Sequence, residues 1–292
     1  MKQNKPIVWT MHDMWPCTGI CHHARDCEKF QTECESCFFL KSKGKDLSTS
    51  VFDKKMSLYK DANITFVGCS RWLSGRAKKS YLLRGKAVLS IPNPIDTKVY
   101  HPMDQGMARE LLGLPSGKRL LLFGALNVTD KRKGIDYLIE ALRRMEKQDV
   151  ELVVFGQVKD DIRGLFPVPI HSMGYLSDES KIVALYNAVD MFITSSLEEN
   201  LPNTIMESMA CGTPCVGFEI GGIPEMIDHR VNGYVANYKD AGDLANGIQW
   251  VLEHEDRLAL SDACVKKVQE NYTEEVVAKQ YTALYEKLLK GE

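Results

Sequence analysis

The 292-residue chain has no run of about 18 or more apolar residues, so no membrane-spanning helix is expected. No secretory leader is expected either. Met1 to Pro6 lead only into the short strand-like run Ile7-Val8-Trp9. Charge of one sign is missing too. Lys and Arg number 37 against 39 Asp and Glu, a formal net charge of −2. That excludes a globally basic nucleic-acid binder and an acidic disordered tail. There is no internal repeat, no low-complexity tract and no Gly-x-Gly-x-x-Gly loop. Nine cysteines are an odd count for a secreted disulfide framework. Cys69, Cys211, Cys215 and Cys264 fall in strand, helix or turn contexts. They read as reduced small hydrophobes, and the expected compartment is cytoplasmic. In such a compartment the glycosylation sequon Asn127-Val128-Thr129 carries no meaning.

What is present suits a soluble globular enzyme, with 44% hydrophobic and 26% charged residues. The length allows two domains or one large α/β domain. From about residue 118 continuous apolar runs alternate with amphipathic helices. Strands are expected at 119–124, 150–156, 170–174, 190–194 and 215–218. Helices are expected at about 135–145, 178–189, 203–211 and 224–228. Ile135, Leu138, Ile139, Leu142 and Met145 share one face of the first helix. Such a pattern implies a parallel sheet covered on both faces, with ligands beyond the carboxyl ends of its strands. The first ~100 residues offer strands at 6–10, 64–69 and 87–91, with a cysteine-dense loop between the first two. These make part of a domain. Pro92-Asn93-Pro94-Ile95-Asp96 through His101-Pro102 reads as the linker, which gives domains of 1–100 and 101–292. A last amphipathic helix is expected over 273–289.

Five strings stand out in order. They are His12-Asp13-Met14-Trp15; Ile91-Pro92-Asn93-Pro94-Ile95-Asp96; Phe123-Gly124 followed by Lys133-Gly134; Glu199-x7-Glu207 joined to Ala210-Cys211-Gly212-Thr213-Pro214; and Gly221-Gly222-Ile223-Pro224-Glu225. Together they resemble the retaining glycosyltransferases of family 4, which have the GT-B fold. The resemblance runs from about residue 5 to the end. It implies two Rossmann-like domains facing a cleft, and transfer of a sugar from a nucleotide-sugar donor to a saccharide or lipid-linked acceptor. Surface polysaccharide biosynthesis and peripheral membrane association through the acceptor are implied with it. Two departures are visible. Ala125 stands where the family usually has a basic residue. Members also carry ~100 further residues before the His motif, the first half of an N-terminal Rossmann-like domain. The chain therefore reads as N-terminally truncated, with a complete donor domain and an incomplete acceptor-side domain.

The resemblance implies that Lys133, with backbone amides at a helix start, meets the diphosphate. Gly124, Glu199, Asn200 and Leu201 line the donor, Glu207 takes the ribose hydroxyls, and His12 faces the donor sugar. Glu199, Lys133 and His12 form the catalytic set. Bland alternatives are a solvated charge in Lys131-Arg132-Lys133, ordinary helix and loop glutamates, and a strand-end histidine. No Asp-x-Asp lies at a strand end of the donor domain, so no catalytic cofactor or metal is expected. A separate question is Cys21-x5-Cys27-x6-Cys34-x2-Cys37, beside Cys17, His22 and His23. Four thiolates in that spacing suit a structural zinc; a reduced loop, or two disulfides on export, are the alternatives. The competing functional reading is a nucleotide-sugar-binding fragment without turnover.

Overall fold

The computed structural model describes residues 5–128, 130–145, 149–157 and 163–291. Thr129, the last residue of the sequon, lies outside them. The chain divides into two compact units, Met1–Asn93 with Val277–Glu292, and Pro94–Val276.

In the first unit β1 (Ile7–Met11), β2 (Ile64–Gly68) and β3 (Ala87–Ser90) form a parallel sheet in the order β1-β2-β3. Helices α1 (Leu47–Lys60) and α2 (Arg71–Lys79) connect them. The start of α1 is fixed by a capping box in which the Asp46 side chain accepts from Ser48 and Thr49 amides while Thr49 reaches back. Between β1 and α1 runs the cysteine-rich loop. It is pinned from α1 by Lys55, a buried lysine whose Nζ donates to the carbonyls of Trp15, Thr18 and Gly19 at 2.6, 2.9 and 3.1 Å.

The second unit holds α3 (Gln105–Leu112), β4 (Arg119–Asn127), α4 (Ile135–Arg144), β5 (Val150–Gln157), β6 (Ile170–Gly174), α5 (Glu179–Ala188) and β7 (Met191–Thr194). It continues with α6 (Asn203–Ala210), β8 (Cys215–Phe218), α7 (Ile223–Met226), β9 (Gly233–Ala236), α8 (Ala241–Leu252) and α9 (Arg257–Asn271). All six strands are parallel, in the order β6-β5-β4-β7-β8-β9. Leu120, Leu121 and Leu122 are each fully buried, so β4 is covered on both faces. Leu121, Phe123, Leu152, Val154, Ile193 and Val216 share one core with Leu138 and Leu142 of α4 and Leu244 and Ile248 of α8. Each such side chain contributes roughly 1.5–3 kcal/mol on burial. At the amino ends of the strands, buried Asp190 accepts from Arg109 at 3.1 Å, from the Leu120 amide at 2.7 Å and from Arg257, tying α3, β4, β7 and α9.

The domain boundary expected at residue 100 moves to Asn93/Pro94. The Pro-rich segment is not a free linker: the Ile95 amide donates to the Tyr272 carbonyl at 2.8 Å, which seats it in the second unit. The last helix, α10 (Glu274–Leu289), falls in the 101–292 span drawn by sequence, where the GT-B resemblance makes it a crossing helix that packs back on the N-terminal domain. From Val277 onward it belongs to the first unit, where Val277 and Leu284 pack with Val67 and Ile91, and the Tyr281 hydroxyl meets Thr10 at 2.9 Å.

Candidate donor site

The sheet order of the second unit reverses direction between β4 and β7, the strands that start its two halves. In open parallel sheets the crevice outside the carboxyl ends at such a reversal is where ligands bind. Here one loop comes from each strand. After β4 the chain makes a short 3-10 turn, Lys131–Lys133, and enters α4 through Gly134. After β7 it runs through Ser195 to Asn200 and enters α6 behind Pro202. The two loops are bolted together. The Leu197 amide donates to the Arg132 carbonyl at 2.7 Å, and Ser195 Oγ to the Lys133 carbonyl at 2.9 Å. Gly134 makes the contact feasible: at φ +62° a Cβ would sit 2.0 Å from the Ser195 carbonyl oxygen. On the other side Gly221, at φ +59°, lets its loop close on the Glu199 carbonyl, and the Gly222 amide donates to the Asn200 carbonyl at 2.5 Å.

Across this junction Lys133 Nζ donates to Glu199 Oε1 at 2.6 Å. The lysine is one-third exposed and the glutamate mostly covered. Two expected site residues from loops 66 positions apart are therefore in direct contact. Neither α4 nor α6 has a side-chain cap at its start. Arg132 is held back by a fork to Asp130, whose carboxyl that fork keeps below its usual range.

Glu207 lies within α6 and does not join that pair. Its Oε2 accepts from the Tyr186 hydroxyl of α5 at 2.8 Å. Burial pushes its carboxyl above the ordinary value; the Tyr186 hydrogen bond opposes the rise and the nearby Glu179 charge adds to it. Tyr186 is fully buried, edge-on to Phe155 and Phe192. Tyr100, from the segment read as linker, also faces this carboxylate, and its own hydroxyl is pushed up by burial and then by Glu207 and Glu179. Sequence reading missed Tyr100 and Tyr186, because neither sits in a motif; an apolar helix face with one Tyr among Val183, Ala184 and Leu185 looks like core.

The remaining expected residues separate. Leu201 is buried, so its side chain belongs to the packing. Gly124 is inside β4, which runs on to Asn127 past the Gly that was expected to end it. A Cβ there would lie 1.8 Å from the Phe155 ring, so its small size serves strand packing. His12 is exposed just past β1, in the first unit. The four cysteines of the expected zinc set differ in exposure. Cys34 is buried, its Sγ accepting from the Gly19 amide at 3.3 Å, whereas Cys21, Cys27 and Cys37 are half-exposed. All nine cysteines are free, and among the described residues no group of three or more His, Cys, Asp or Glu is placed to hold a metal ion. Burial raises the Cys21 and Cys34 thiols, Cys34 to about 11, and the neighbouring thiols of Cys21, Cys27 and Cys37 add to the rise at Cys34. Hydrogen bonds from Lys55 and to Asp46 tie the loop down. The four cysteines expected in strand, helix or turn contexts are buried, as read. Among the described residues no helix is long and apolar enough to cross a membrane.

Residues 117–254 match the family described as Glycosyl transferases group 1. N-acetyl-alpha-D-glucosaminyl L-malate synthase of Bacillus anthracis is 24% identical over 71% of this chain and 55% of its own length. An N,N'-diacetylbacillosaminyl-diphospho-undecaprenol alpha-1,3-N-acetylgalactosaminyltransferase of Campylobacter jejuni is 33% identical over 40% of this chain and 31% of its own. The chain spans about half the length of the first of these and of an uncharacterised glycosyltransferase from Methanocaldococcus jannaschii, at 55% and 47%. Among solved structures, sucrose-phosphate synthase of Thermosynechococcus elongatus superposes with TM-score 0.73 at 21% identity, covering 98% of this chain and 68% of that one. Anabaena HepE in complex with UDP gives 0.73 at 19%, covering 96% and 72%. The C-terminal domain of a Francisella tularensis glycosyl transferase group 1 protein gives 0.53 at 21%, covering 62% of this chain and 99% of that domain. The fold is α/β with parallel sheets, as in GT-B glycosyltransferases.

Proposed function

We propose that the chain binds a nucleotide-sugar at the carboxyl ends of β4 and β7 and transfers the sugar, with retention, to a hydroxyl of a saccharide or lipid-linked acceptor. The observation that carries this reading is the Lys133–Glu199 pair, which bridges the two loops at the sheet's reversal beside two helix starts without side-chain caps. In the free chain the pair neutralises itself. A diphosphate offers Lys133 a more highly charged partner and releases Glu199 to accept from a sugar hydroxyl. The bond between the anomeric carbon and the phosphate oxygen breaks as the acceptor oxygen bonds that carbon on the same face. The acceptor proton passes to the departing phosphate oxygen, so no side-chain base is needed. Amides at the two helix starts and Lys133 stabilise the charge that develops on the leaving group. Glu207 takes the ribose hydroxyls. His12 is kept in the catalytic set on the resemblance of its motif alone. The Campylobacter relative's printed name, with a diphospho-undecaprenol-linked sugar in it, supports the lipid-linked acceptor class.

UDP and UDP-glucose, the molecules held by HepE, are the first probes. Calorimetry should show UDP binding that Glu207→Ala weakens by ~1.5–3 kcal/mol, roughly tenfold to a hundredfold. Lys133→Ala should weaken it comparably, Glu199→Gln should affect the sugar nucleotide more than UDP, and chelation should change nothing. Unaltered affinity in all three variants would sink the donor site. A nucleotide-sugar-binding module without turnover is the second reading; the first unit's sheet has three strands among the described residues. Binding of UDP-sugars with no transfer to any acceptor in a broad panel would select it.

A further inference from the structure

The cysteine-rich loop carries a feature that the donor site does not use. Phe38, Phe39 and Leu40 are successive residues of one turn, and their exposures are 44%, 44% and 39%. Water-facing apolar side chains are common singly, but three in a row at one tip are unfavourable in water without a reason. The turn is closed tightly. The Ser36 amide donates to the Gly44 carbonyl at 2.8 Å, and the Gly44 amide returns to Ser36 Oγ at 2.8 Å. Asp46 Oδ2 accepts from the Cys37 amide at 2.8 Å and from the Ser42 hydroxyl. The two phenyl rings lie 3.9 Å apart by centroid, and the Arg25 guanidinium stands 5.8 and 5.3 Å from them. The tip is thus a tied wedge with a cation against it.

Charge sorts around the wedge. Lys41, Lys43 and Lys45 follow it directly, and all three are exposed. The acid of that stretch, Asp46, is turned inward, its carboxyl held well below the usual range by the Cys37 amide and by Ser42 and Ser48. Glu33 and Glu35, exposed on the preceding segment, are the nearest acids in sequence before the tip. Leu47, 59% exposed, extends the apolar side. A convex tip of this size presents far less than the about 800 Å² per partner that a stable protein interface buries. Short aromatic and aliphatic side chains collared by lysine instead match a bilayer surface, where the rings enter the headgroup boundary and the ammonium groups meet anionic lipid.

We propose that the turn from Phe38 to Lys45 is a membrane-docking wedge for anionic bilayers. The proposal holds or fails independently of the donor-site reading. Co-sedimentation with vesicles of phosphatidylcholine and phosphatidylglycerol, about three to one, tests it. The full chain should bind these vesicles, bind vesicles of phosphatidylcholine alone weakly, and release as salt rises. Phe38→Ser with Phe39→Ser should lose binding to both. Lys41→Ser, Lys43→Ser and Lys45→Ser together should cost on the order of a hundredfold on anionic vesicles, about fivefold per lysine, and leave the weak neutral binding in place. Circular dichroism and thermal unfolding should be unchanged in both sets, and the lysine set remains informative if the phenylalanine set misfolds. Failure of the full chain to bind anionic vesicles, or variants that bind as it does, would overturn the proposal. So would a dimer in analytical ultracentrifugation that the phenylalanine changes dissolve while vesicles are ignored, because the wedge would then be a self-contact.

Discussion

At the scale of single residues, Glu207, the proposed ribose contact, is a buried carboxyl that works against stability. A carboxyl with an ordinary value of 4.5 is raised by burial, although the Tyr186 hydroxyl donates to it. The folded chain therefore holds this proton above the pH at which the unfolded chain has released it. Stability contributed by the group falls as pH rises through that window from about 4.5 upward, and the penalty persists at neutral pH. Glu207→Gln, which still accepts from Tyr186, should raise the thermal midpoint of the free chain at neutral pH. It should lower UDP affinity at the same time, the signature of a site residue and not of a packing one. Tyr186→Phe should act on the same carboxylate from behind. Without the phenol, burial and the charge of Glu179 push it higher still, so the loss of UDP affinity on acidification should begin at a higher pH. Calorimetric titrations between about pH 5 and pH 8 would read this; an unmoved acid limb beside weakened binding would leave Tyr186 a packing residue.

Among the elements, the turn between β4 and α4 is the most constrained, and a pair of glycine substitutions separates geometry from propensity. Gly134→Ala places a methyl against the Ser195 carbonyl at a positive φ. It should cost more than about 1–3 kcal/mol and disturb the Lys133–Glu199 contact, lowering UDP affinity as well as the thermal midpoint. Gly75→Ala is the opposite case. It lies in α2, and its new methyl would meet nothing within 4 Å. That change should stabilise by about 0.5–1 kcal/mol in urea unfolding and leave UDP affinity alone. The same contrast explains what the sequence made legible. Cys215–Phe218 read correctly because a short apolar run between turn residues leaves little choice, and Ile170–Gly174 was drawn with the right bounds although His171 and Ser172 interrupt its apolar character. Lys133 and Glu199 were visible as candidates through their motifs, but their direct contact was not, since it depends on which strands become neighbours. Helix α1 was not drawn at all: Leu47-Ser48-Thr49-Ser50 gives weak periodicity, and its start is set by Asp46, whose partner Thr49 is not the Glu or Gln that a capping box usually shows. Strand β9, Gly233-Tyr234-Val235-Ala236, was not drawn either. For a related reason spacing along the chain could not show that Cys34 is buried with the Gly19 amide on its Sγ while Cys21, Cys27 and Cys37 are half-exposed.

For the whole molecule, the division of labour follows from where α10 goes. Pro94–Val276 forms a unit with six paired parallel strands, its own core and both members of the Lys133–Glu199 pair, and nothing after Val276 enters it. Its Ile95–Thr273 bridge ties its two ends together. The first unit is different: three strands supply too little apolar surface by themselves, and Val277, Tyr281, Leu284 and Leu288 of α10 complete the cluster around Val67 and Ile91. Removing residues 277–292 should therefore harm only the first unit. Exposed Val67 and Ile91, with β1 at a sheet edge among the described residues, would favour self-association. The expected result is aggregation of the shortened chain at concentrations where the full chain stays dispersed. In contrast, a separately produced 94–276 segment should unfold in a single cooperative transition and bind UDP within about threefold of the full chain, since about 0.6 kcal/mol is all that a difference of that size requires. Vesicle binding should be absent from that segment, because the Phe38–Lys45 turn stays behind. If 94–276 fails to fold, the six-stranded unit depends on contacts outside itself; if it folds but ignores UDP while the full chain binds it, the nucleotide site does not reside at the reversal between β4 and β7.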